Sequence, residues 1–194
     1  MAAMRPKRHA VGLFASLLPL SAVACSGDGG PARVVEARPD APAPARGESL
    51  LRGAMLAGHN AARAEVGVAP LVWDEALARS AAAYAREMAR TGRFAHAEQP
   101  QGPRREGENL FTGTRGAYGY DEMVALWVAE KRDFVNRAVP DASRSGNWGG
   151  VAHYVQIVWR GSRAMGCAMA SSRRDDYLVC RYSPAGNVVG ERAF

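Results

Sequence analysis

Apolar side chains recur every three or four positions in three stretches of the chain, which is the spacing of an amphipathic helix. The predicted helices lie within residues 47–67, 73–92 and 120–134. Asp74 is suited to cap the second helix and Gly92 to end it. An aspartate side chain accepts hydrogen bonds from a first helical turn, and glycine adopts the left-handed conformation easily.

The C-terminal part changes to short apolar runs bounded by turn residues, and such runs predict β-strands. The predicted strands cover residues 153–160, 163–170 and 176–182. Residues 93–119, which are rich in Gly, Pro and charge, are predicted to form a long loop. Helices followed by an antiparallel sheet indicate a layered α+β or α-β-α domain.

Two cysteines fall on the last two predicted strands. The turn "SSRRDD" lies midway between them, so a hairpin folded there places Cys167 opposite Cys180. Directly opposite residues at a non-hydrogen-bonded site lie about 4.5–5.5 Å apart, within reach of a disulfide. We therefore expect a disulfide if the chain is exported. Two buried free thiols are the alternative.

Residues 1–24 have the pattern of an export signal. Basic residues at the start precede a short apolar run and the sequence "AVA", a signal-peptidase pattern. Cleavage after Ala24 would leave Cys25 at the mature N-terminus, which resembles the arrangement in bacterial lipoproteins, where this cysteine is lipidated. Ala22 stands where that pattern usually has Leu, and simple secretion is the alternative. We expect an extracytoplasmic protein, either membrane-anchored or secreted.

Composition separates a tether from the folded domain. Residues 25–47 are dominated by Ala, Pro, Gly and charge, so they have little to bury and are predicted to be a disordered tether. The folded domain is predicted to cover 48–194. The whole chain carries a net charge of +6. Without the three basic residues of the signal it carries 22 − 19 = +3, with no basic block, so nucleic-acid binding is not expected.

Four titratable residues occupy unexpected positions. Glu130 lies on the apolar face of the third helix, and His153 alternates with apolar residues on a predicted strand. His96 and Glu108 lie in the predicted loop. Each has an ordinary explanation, such as a helix-edge acid or a core histidine, but two histidines and two acids could together hold a divalent cation or water. No zincin, nucleophile-elbow, phosphate-loop or dinucleotide motif is present in the sequence.

Eight ordered motifs resemble those of the CAP superfamily, which includes pathogenesis-related class 1 proteins of plants and bacterial SCP-domain proteins. The resemblance covers residues 50–194. The motifs are "HNAAR" (59–63), "LVWDEALA" (71–78), the lone His96, "GENL" (107–110), "LWVAEK" (126–131), "HYVQIVWR" (153–160), "GCA" (166–168) and "CRYSPAGNVVGERAF" (180–194).

The resemblance implies a three-layer α-β-α sandwich with a C-terminal antiparallel sheet and a cleft that holds a two-His, two-Glu tetrad. Matched motif by motif, the tetrad is His96, Glu108, Glu130 and His153. In the family this site can bind zinc or another divalent cation, and no general catalytic activity has been assigned to it. If the domain were enzymatic, the same four residues would be the catalytic candidates.

The cleft is expected to be lined by Asn109, Tyr154 and Gln156. The sequence departs from the family at three informative positions: Arg181 stands where Asn is usual, Ala152 where Gly is usual, and Val155 where Thr is usual. The resemblance favours a binding module for a lipid, a sterol-like molecule or a cell-envelope component. The alternatives are a zinc-dependent hydrolase and a structural or signalling domain, because fold alone does not determine function.

Overall fold

The structure is a computed structural model that describes residues 42–100, 102 and 104–194. The predicted signal peptide, Cys25 and most of the predicted tether lie outside these residues. The helices are α1 (Glu48–Glu65), α2 (Glu75–Thr91), α3 (Tyr120–Ala129) and α4 (Ala152–Ile157), with 3₁₀ turns at Glu130–Arg132 and Trp148–Gly150. The strands are β1 (Val72–Trp73), β2 (Gly107–Thr114), β3 (Ala164–Ser171) and β4 (Asp175–Ser183).

Within the described residues the strands form a four-stranded sheet in the order β1-β3-β4-β2. β1 pairs with β3 in parallel, while β4 pairs antiparallel with both β3 and β2. Side chains on a strand alternate between its two faces, so each face of β4 packs against a different layer of helices. The structure thus has the expected α-β-α layers.

A hydrophobic core lies on each face of the sheet. On one face, Leu178, Cys180 and Tyr182 of β4 belong to the cluster that contains the buried residues of α1, α3 and α4. On the other face, Tyr177 and Val179 pack with the buried side of α2, which presents Ala81, Ala85 and Met88. The amphipathic stripes found in the sequence are therefore the contact surfaces of these helices.

The hairpin prediction is confirmed. β3 and β4 pair in the register that places Cys167 opposite Cys180, and the two residues form a disulfide. The Asp74 and Gly92 predictions also hold for α2. The Asp74 carboxylate accepts the N–H groups of Ala76 and Leu77, and Gly92 has a left-handed φ of 71°.

The strand predicted at 153–160 is wrong, because residues 152–157 form helix α4. Four consecutive residues, 154–157, are all buried, so the segment lacks the one-sided pattern by which a helix is recognised. Its β-branched and aromatic residues then favour a strand on propensity alone. Tertiary contacts determine the helix instead. His153 therefore lies in the first turn of α4.

The loop predicted at 93–119 is also wrong in part, because it contains strand β2. β2 has few apolar residues and lies at the edge of the sheet, where it pairs only with β4 in the described part of the chain. The third helix is shorter than predicted, since Glu130 ends the α-helix and begins a 3₁₀ turn. The two-residue strand β1 was not predicted.

The N-terminal end of the described chain contacts the domain before Glu48. The Arg46 guanidinium lies 2.9 Å from the Asp176 carboxylate and 5.0 Å from the centre of the Tyr120 ring. The Gly47 N–H donates to the Tyr120 hydroxyl. The two residues before the predicted domain boundary are thus part of the packed structure.

Candidate functional site: two His–Glu pairs beside a cleft

The first His–Glu pair joins the segment after α2 to strand β2. The Nδ1 atom of His96 lies 2.6 Å from Oε1 of Glu108, which also accepts the N–H of Ala97 at 3.1 Å. Tyr84 of α2 positions this segment by donating its hydroxyl to the carbonyl of Ala95 at 2.5 Å. The His96 side chain is 68% exposed and the Glu108 side chain 5% exposed, so a buried acid holds a ring that solvent can reach.

Arg181 lies behind Glu108 and forms the other side of this pair. Its Nη2 is 2.8 Å from Oε2 of Glu108, an ion pair whose angles fall outside hydrogen-bond geometry, and both side chains are 5% exposed. Glu106 lies farther from the guanidinium, at 3.6 Å. The guanidinium also lies over the Tyr84 ring, 5.4 Å from its centre. Arg181 therefore compensates the buried charge of Glu108.

The second His–Glu pair joins the end of α3 to the start of α4. The Nδ1 atom of His153 lies 2.6 Å from Oε1 of Glu130. Oε2 of Glu130 accepts the N–H groups of His153 and Tyr154, both at 3.0 Å, and so caps α4 from another element. The His153 ring stacks on Trp127 with 5.8 Å between ring centres. These bonds explain why an acid occupies the end of an apolar helix.

Asn109 links the two pairs, since it follows Glu108 on β2 and donates to the carbonyl of His153 at 3.1 Å. Among the described residues, no group of three or more His, Cys, Asp or Glu side chains is arranged to hold a metal ion. The structure thus presents two pairs rather than one closed set of four ligands. In each pair the carboxylate engages Nδ1, which leaves Nε2 of the ring for another partner.

A cleft of about 710 Å³ is lined by His96 and Glu108 of the first pair, whereas Glu130 and His153 of the second pair are not among its lining residues. Its polar lining consists mainly of the segment between α2 and β2, with His96, Glu108, Glu98, Gln99, Arg105 and Glu106. Its apolar lining, here called the apolar wall, includes Val139, Pro140, Trp148 and Val189. Val189 is 78% exposed. The cleft therefore offers both charged and apolar surface.

Gln156 lines the cleft, whereas Asn109 and Tyr154 are buried and are not among the residues that line it. Gln156 is held on both sides of its amide: Nε2 donates to the Ser162 hydroxyl at 3.0 Å, and Oε1 accepts the Gly186 N–H at 2.9 Å. Its side chain therefore supports the cleft floor. Asn109 contributes through its bond to the His153 carbonyl.

His59, the remaining described histidine, lies outside the site in the core. Its Nδ1–H donates to the Met55 carbonyl at 2.7 Å, and its Nε2 lies 2.7 Å from the Tyr182 hydroxyl. Burial lowers the pKa of His59 to about 4. Arg63 of the same motif donates to four carbonyls, three of which belong to Ile157, Trp159 and Ser162, and so anchors the end of α4 and the chain after it. These two residues of "HNAAR" have structural roles.

Sequence reasoning noted Arg181 only as a departure and did not identify Tyr84 or Trp127 as parts of the site. Tyr84 and Trp127 lie on apolar helix stripes, where an aromatic residue ordinarily indicates core. An arginine between a disulfide cysteine and a buried tyrosine on a predicted strand was the one available signal, because a buried cation needs a partner.

Comparison with known proteins identifies the family. The cysteine-rich secretory protein family, CAP, matches residues 56–182. The chain belongs to the CAP family. Similar proteins include the PR-1 type pathogenesis-related protein of Sambucus nigra, 36% identical over 137 residues, 70% of this chain and 77% of that protein. Pathogenesis-related protein 1C of Nicotiana tabacum is 35% identical over 140 residues, 72% of this chain and 78% of that protein. This is a CAP domain of the PR-1 type.

Solved structures have the same fold as this CAP domain. NaASP2 with Zn2+ matches with a TM-score of 0.64 at 23% identity, covering 76% of this chain and 86% of that one. BmVAL-1 matches with a TM-score of 0.61 at 19% identity, covering 79% and 85%. At such identities the likeness concerns the fold alone. Among the described residues of the CAP domain, no helix is both long and apolar enough to span a bilayer.

Proposed function

We propose that this CAP domain is an extracytoplasmic ligand-binding module that also binds a divalent cation, zinc in particular, through His96 and His153. The observation that carries the proposal is the shared geometry of the two pairs, in which a carboxylate lies 2.6 Å from Nδ1 of each ring. A carboxylate at Nδ1 fixes the neutral tautomer with its lone pair on Nε2. This is the arrangement by which proteins prepare a histidine to bind zinc.

The glutamates act in this proposal as orienting groups, while Nε2 of each histidine is the ligand and water completes the coordination. Such a site needs only two protein ligands, which agrees with the absence of a larger ligand group among the described residues. It is therefore expected to bind zinc reversibly rather than as a permanent structural metal. NaASP2, which has the same fold, was crystallised with Zn2+.

The cleft supports a ligand with both polar and apolar parts. An exposed apolar wall is unfavourable in water unless a ligand or partner covers it, and the polar lining of the same cleft supplies carboxylates and amides for a polar group. A lipid, a sterol-like molecule or an amphipathic component of the cell envelope has this character. The disulfide is consistent with an oxidising, extracytoplasmic compartment.

The geometry favours binding over hydrolysis. A metal-assisted hydrolase needs a carboxylate that is free to accept a proton from water. Both oxygens of Glu108 already contact cationic or donor groups, as do both oxygens of Glu130. Each glutamate is therefore already engaged in holding its histidine and its other partners, which disfavours a second role as the base.

Zinc titration by calorimetry tests the cation site. We expect the combined variant His96→Ala and His153→Ala to bind zinc at least about 100-fold more weakly than the unchanged protein, because both ligands are lost. Glu98→Gln is the matched control: it removes a charge from the same cleft without touching either pair, and it should retain affinity within a few-fold. Equal zinc affinity in the double variant and the unchanged protein would refute the site.

The ligand proposal has its own test. Lipid extraction of the protein purified from its native envelope, followed by mass spectrometry, should recover an apolar or amphipathic molecule. Val189→Asp, which places a charge on the apolar wall, should reduce its recovery. If the extract contains no such molecule, or if Val189→Asp retains it fully, the proposed ligand class is wrong even where zinc binds.

A further inference from the structure

A second pocket, of about 640 Å³, lies next to the cleft and is lined by Arg137, Arg144 and Arg192. Pro140 lines both this pocket and the cleft, so the two cavities share a wall. The one carboxylate among its lining residues is that of Asp141. Three guanidinium groups, which are charged at any physiological pH, therefore lie with this carboxylate and with that of Asp133, which is bonded to the lining serines. We call this cavity the arginine pocket.

One side of the arginine pocket is organised in advance of any ligand. The Asp133 carboxylate accepts hydrogen bonds from the hydroxyls of Ser143 and Ser145 and from the Ser145 N–H. The bonds from the Ser143 and Ser145 hydroxyls lower the pKa of Asp133, which keeps this clamp charged. Arg144 donates through Nη1 to the carbonyl of Arg132 at 2.8 Å. The loop at 143–146 and the Arg144 side chain are thus held in place.

The other two arginines of the pocket, Arg137 and Arg192, have guanidinium N–H groups that are available to a ligand. Arg137 and Arg192 are exposed, and neither makes an ion pair or side-chain hydrogen bond with any residue that the structure describes. By contrast, Arg46 and Arg181 are compensated by carboxylates at 2.9 and 2.8 Å. Two of the three arginines in the pocket, Arg137 and Arg192, therefore have no ion-pair partner among the described residues.

We propose that the arginine pocket binds a phosphate oxyanion, supplied by a lipid headgroup or as free phosphate. The planar guanidinium donates two parallel hydrogen bonds that match the spacing of phosphate oxygens, and such charge-assisted bonds are stronger than neutral ones. The three arginines outnumber the two carboxylates at the pocket, those of Asp141 and Asp133, by one, which leaves a net positive charge for a phosphate of opposite sign. The inference does not rest on the cation site, because no member of either His–Glu pair lines this pocket.

The test compares two double variants with equal charge change. Arg137→Ser with Arg192→Ser removes the two uncompensated cations of the pocket. Arg86→Ser with Arg173→Ser is the matched control, since both arginines are exposed and line none of the described cavities. Inorganic phosphate is titrated into each protein and followed by NMR chemical shifts. Flotation with phosphatidylcholine vesicles, with and without phosphatidic acid, then tests the lipid source.

We expect the pocket variant to bind inorganic phosphate about tenfold or more weakly than the unchanged protein, and the control to stay within about twofold of it. If the same pattern appears with phosphatidic acid vesicles, the source is a headgroup; if those vesicles do not bind, it is free phosphate. Equal losses of phosphate affinity in both double variants would show that binding depends only on the overall positive charge of the protein, and would overturn the site. Failure of the unchanged protein to bind either probe would overturn it as well.

Discussion

The two His–Glu pairs have the same bond between ring and carboxylate but different supports behind the acid. Glu108 is supported by a side chain, the Arg181 guanidinium from the neighbouring strand, and by a single backbone group, the Ala97 N–H. Glu130 is supported by two backbone N–H groups at the start of α4. A side-chain support can be changed by one substitution, whereas a backbone support exists only while the helix is folded. The first pair is therefore tunable, and the second is coupled to the fold.

The exposure of the two rings differs in the same sense. His96 is 68% exposed, whereas His153 is 28% exposed and stacks on Trp127. The first pair places its histidine where a ligand or cation can arrive from solvent. The second pair places its histidine against Trp127 of α3. A cation bound by both rings would thus have one exposed ligand, His96, and one packed ligand, His153.

Removing Arg181 gives the largest expected effect, because it breaks the side-chain support of the first pair. Arg181→Met leaves the Glu108 charge buried without its cation, and we expect a loss of about 4 kcal/mol in the free energy of unfolding, measured by urea denaturation. Adding Glu108→Gln removes that buried charge and should restore more than half of the loss. A double variant no more stable than Arg181→Met would contradict the assigned role of the ion pair.

Lowering the pH should reduce stability through His59, the third described histidine. This ring has no carboxylate partner, so it serves as a comparison for the two His–Glu pairs. Burial lowers its pKa from 6.5 to about 4 in the folded protein. As the pH falls, the unfolded chain therefore binds a proton at His59 before the folded protein does. The free energy of unfolding decreases as the pH falls from about 6.5 to about 4, and the decrease is complete below that. The linkage relation gives a total decrease of about 3 kcal/mol.

The measurement for His59 is urea denaturation at a series of pH values in that window. The His59→Gln variant retains a donor and an acceptor but cannot titrate. Its free energy of unfolding should therefore decrease by about 3 kcal/mol less than that of the unchanged protein over this pH window. Acidic groups that titrate in both proteins cancel in this comparison. Parallel pH profiles for the two proteins would show that His59 does not carry the effect.

The sequence predicted those parts of the fold that repeat over many residues. Two long amphipathic helices and the Cys167–Cys180 hairpin follow from periodicity and symmetry. The six residues of α4 are too few and too fully buried to show a period, and β2 is too polar to stand out. Propensity therefore gave the wrong element for His153 and no element for Glu108.

The site was predictable only through the family resemblance. Motifs supplied the four pair residues, but periodicity alone left each of them an ordinary explanation. The supports behind the acids were not predictable in either way. The ion pair between Arg181 and Glu108 joins residues on different strands, and the cap that Glu130 places on α4 joins two helices. Such contacts exist only once the tertiary structure brings the elements together.

Substitution of Glu130 should have a smaller effect on stability than substitution of Arg181. It tests the second His–Glu pair, in which the acid is supported by backbone N–H groups. Glu130→Ala leaves the N–H groups of His153 and Tyr154 without an acceptor, which should cost about 2 kcal/mol in urea denaturation. Glu130→Gln retains one carbonyl oxygen for these amides and should lose about 1 kcal/mol or less. Its NH₂ group would then face Nδ1 of His153 and favour the opposite tautomer, with the proton on Nε2. Nitrogen-15 NMR of the imidazole reports this change directly. A glutamine variant that loses as much stability as the alanine variant, or retains the original tautomer, would show that Glu130 does not both cap the helix and orient the ring.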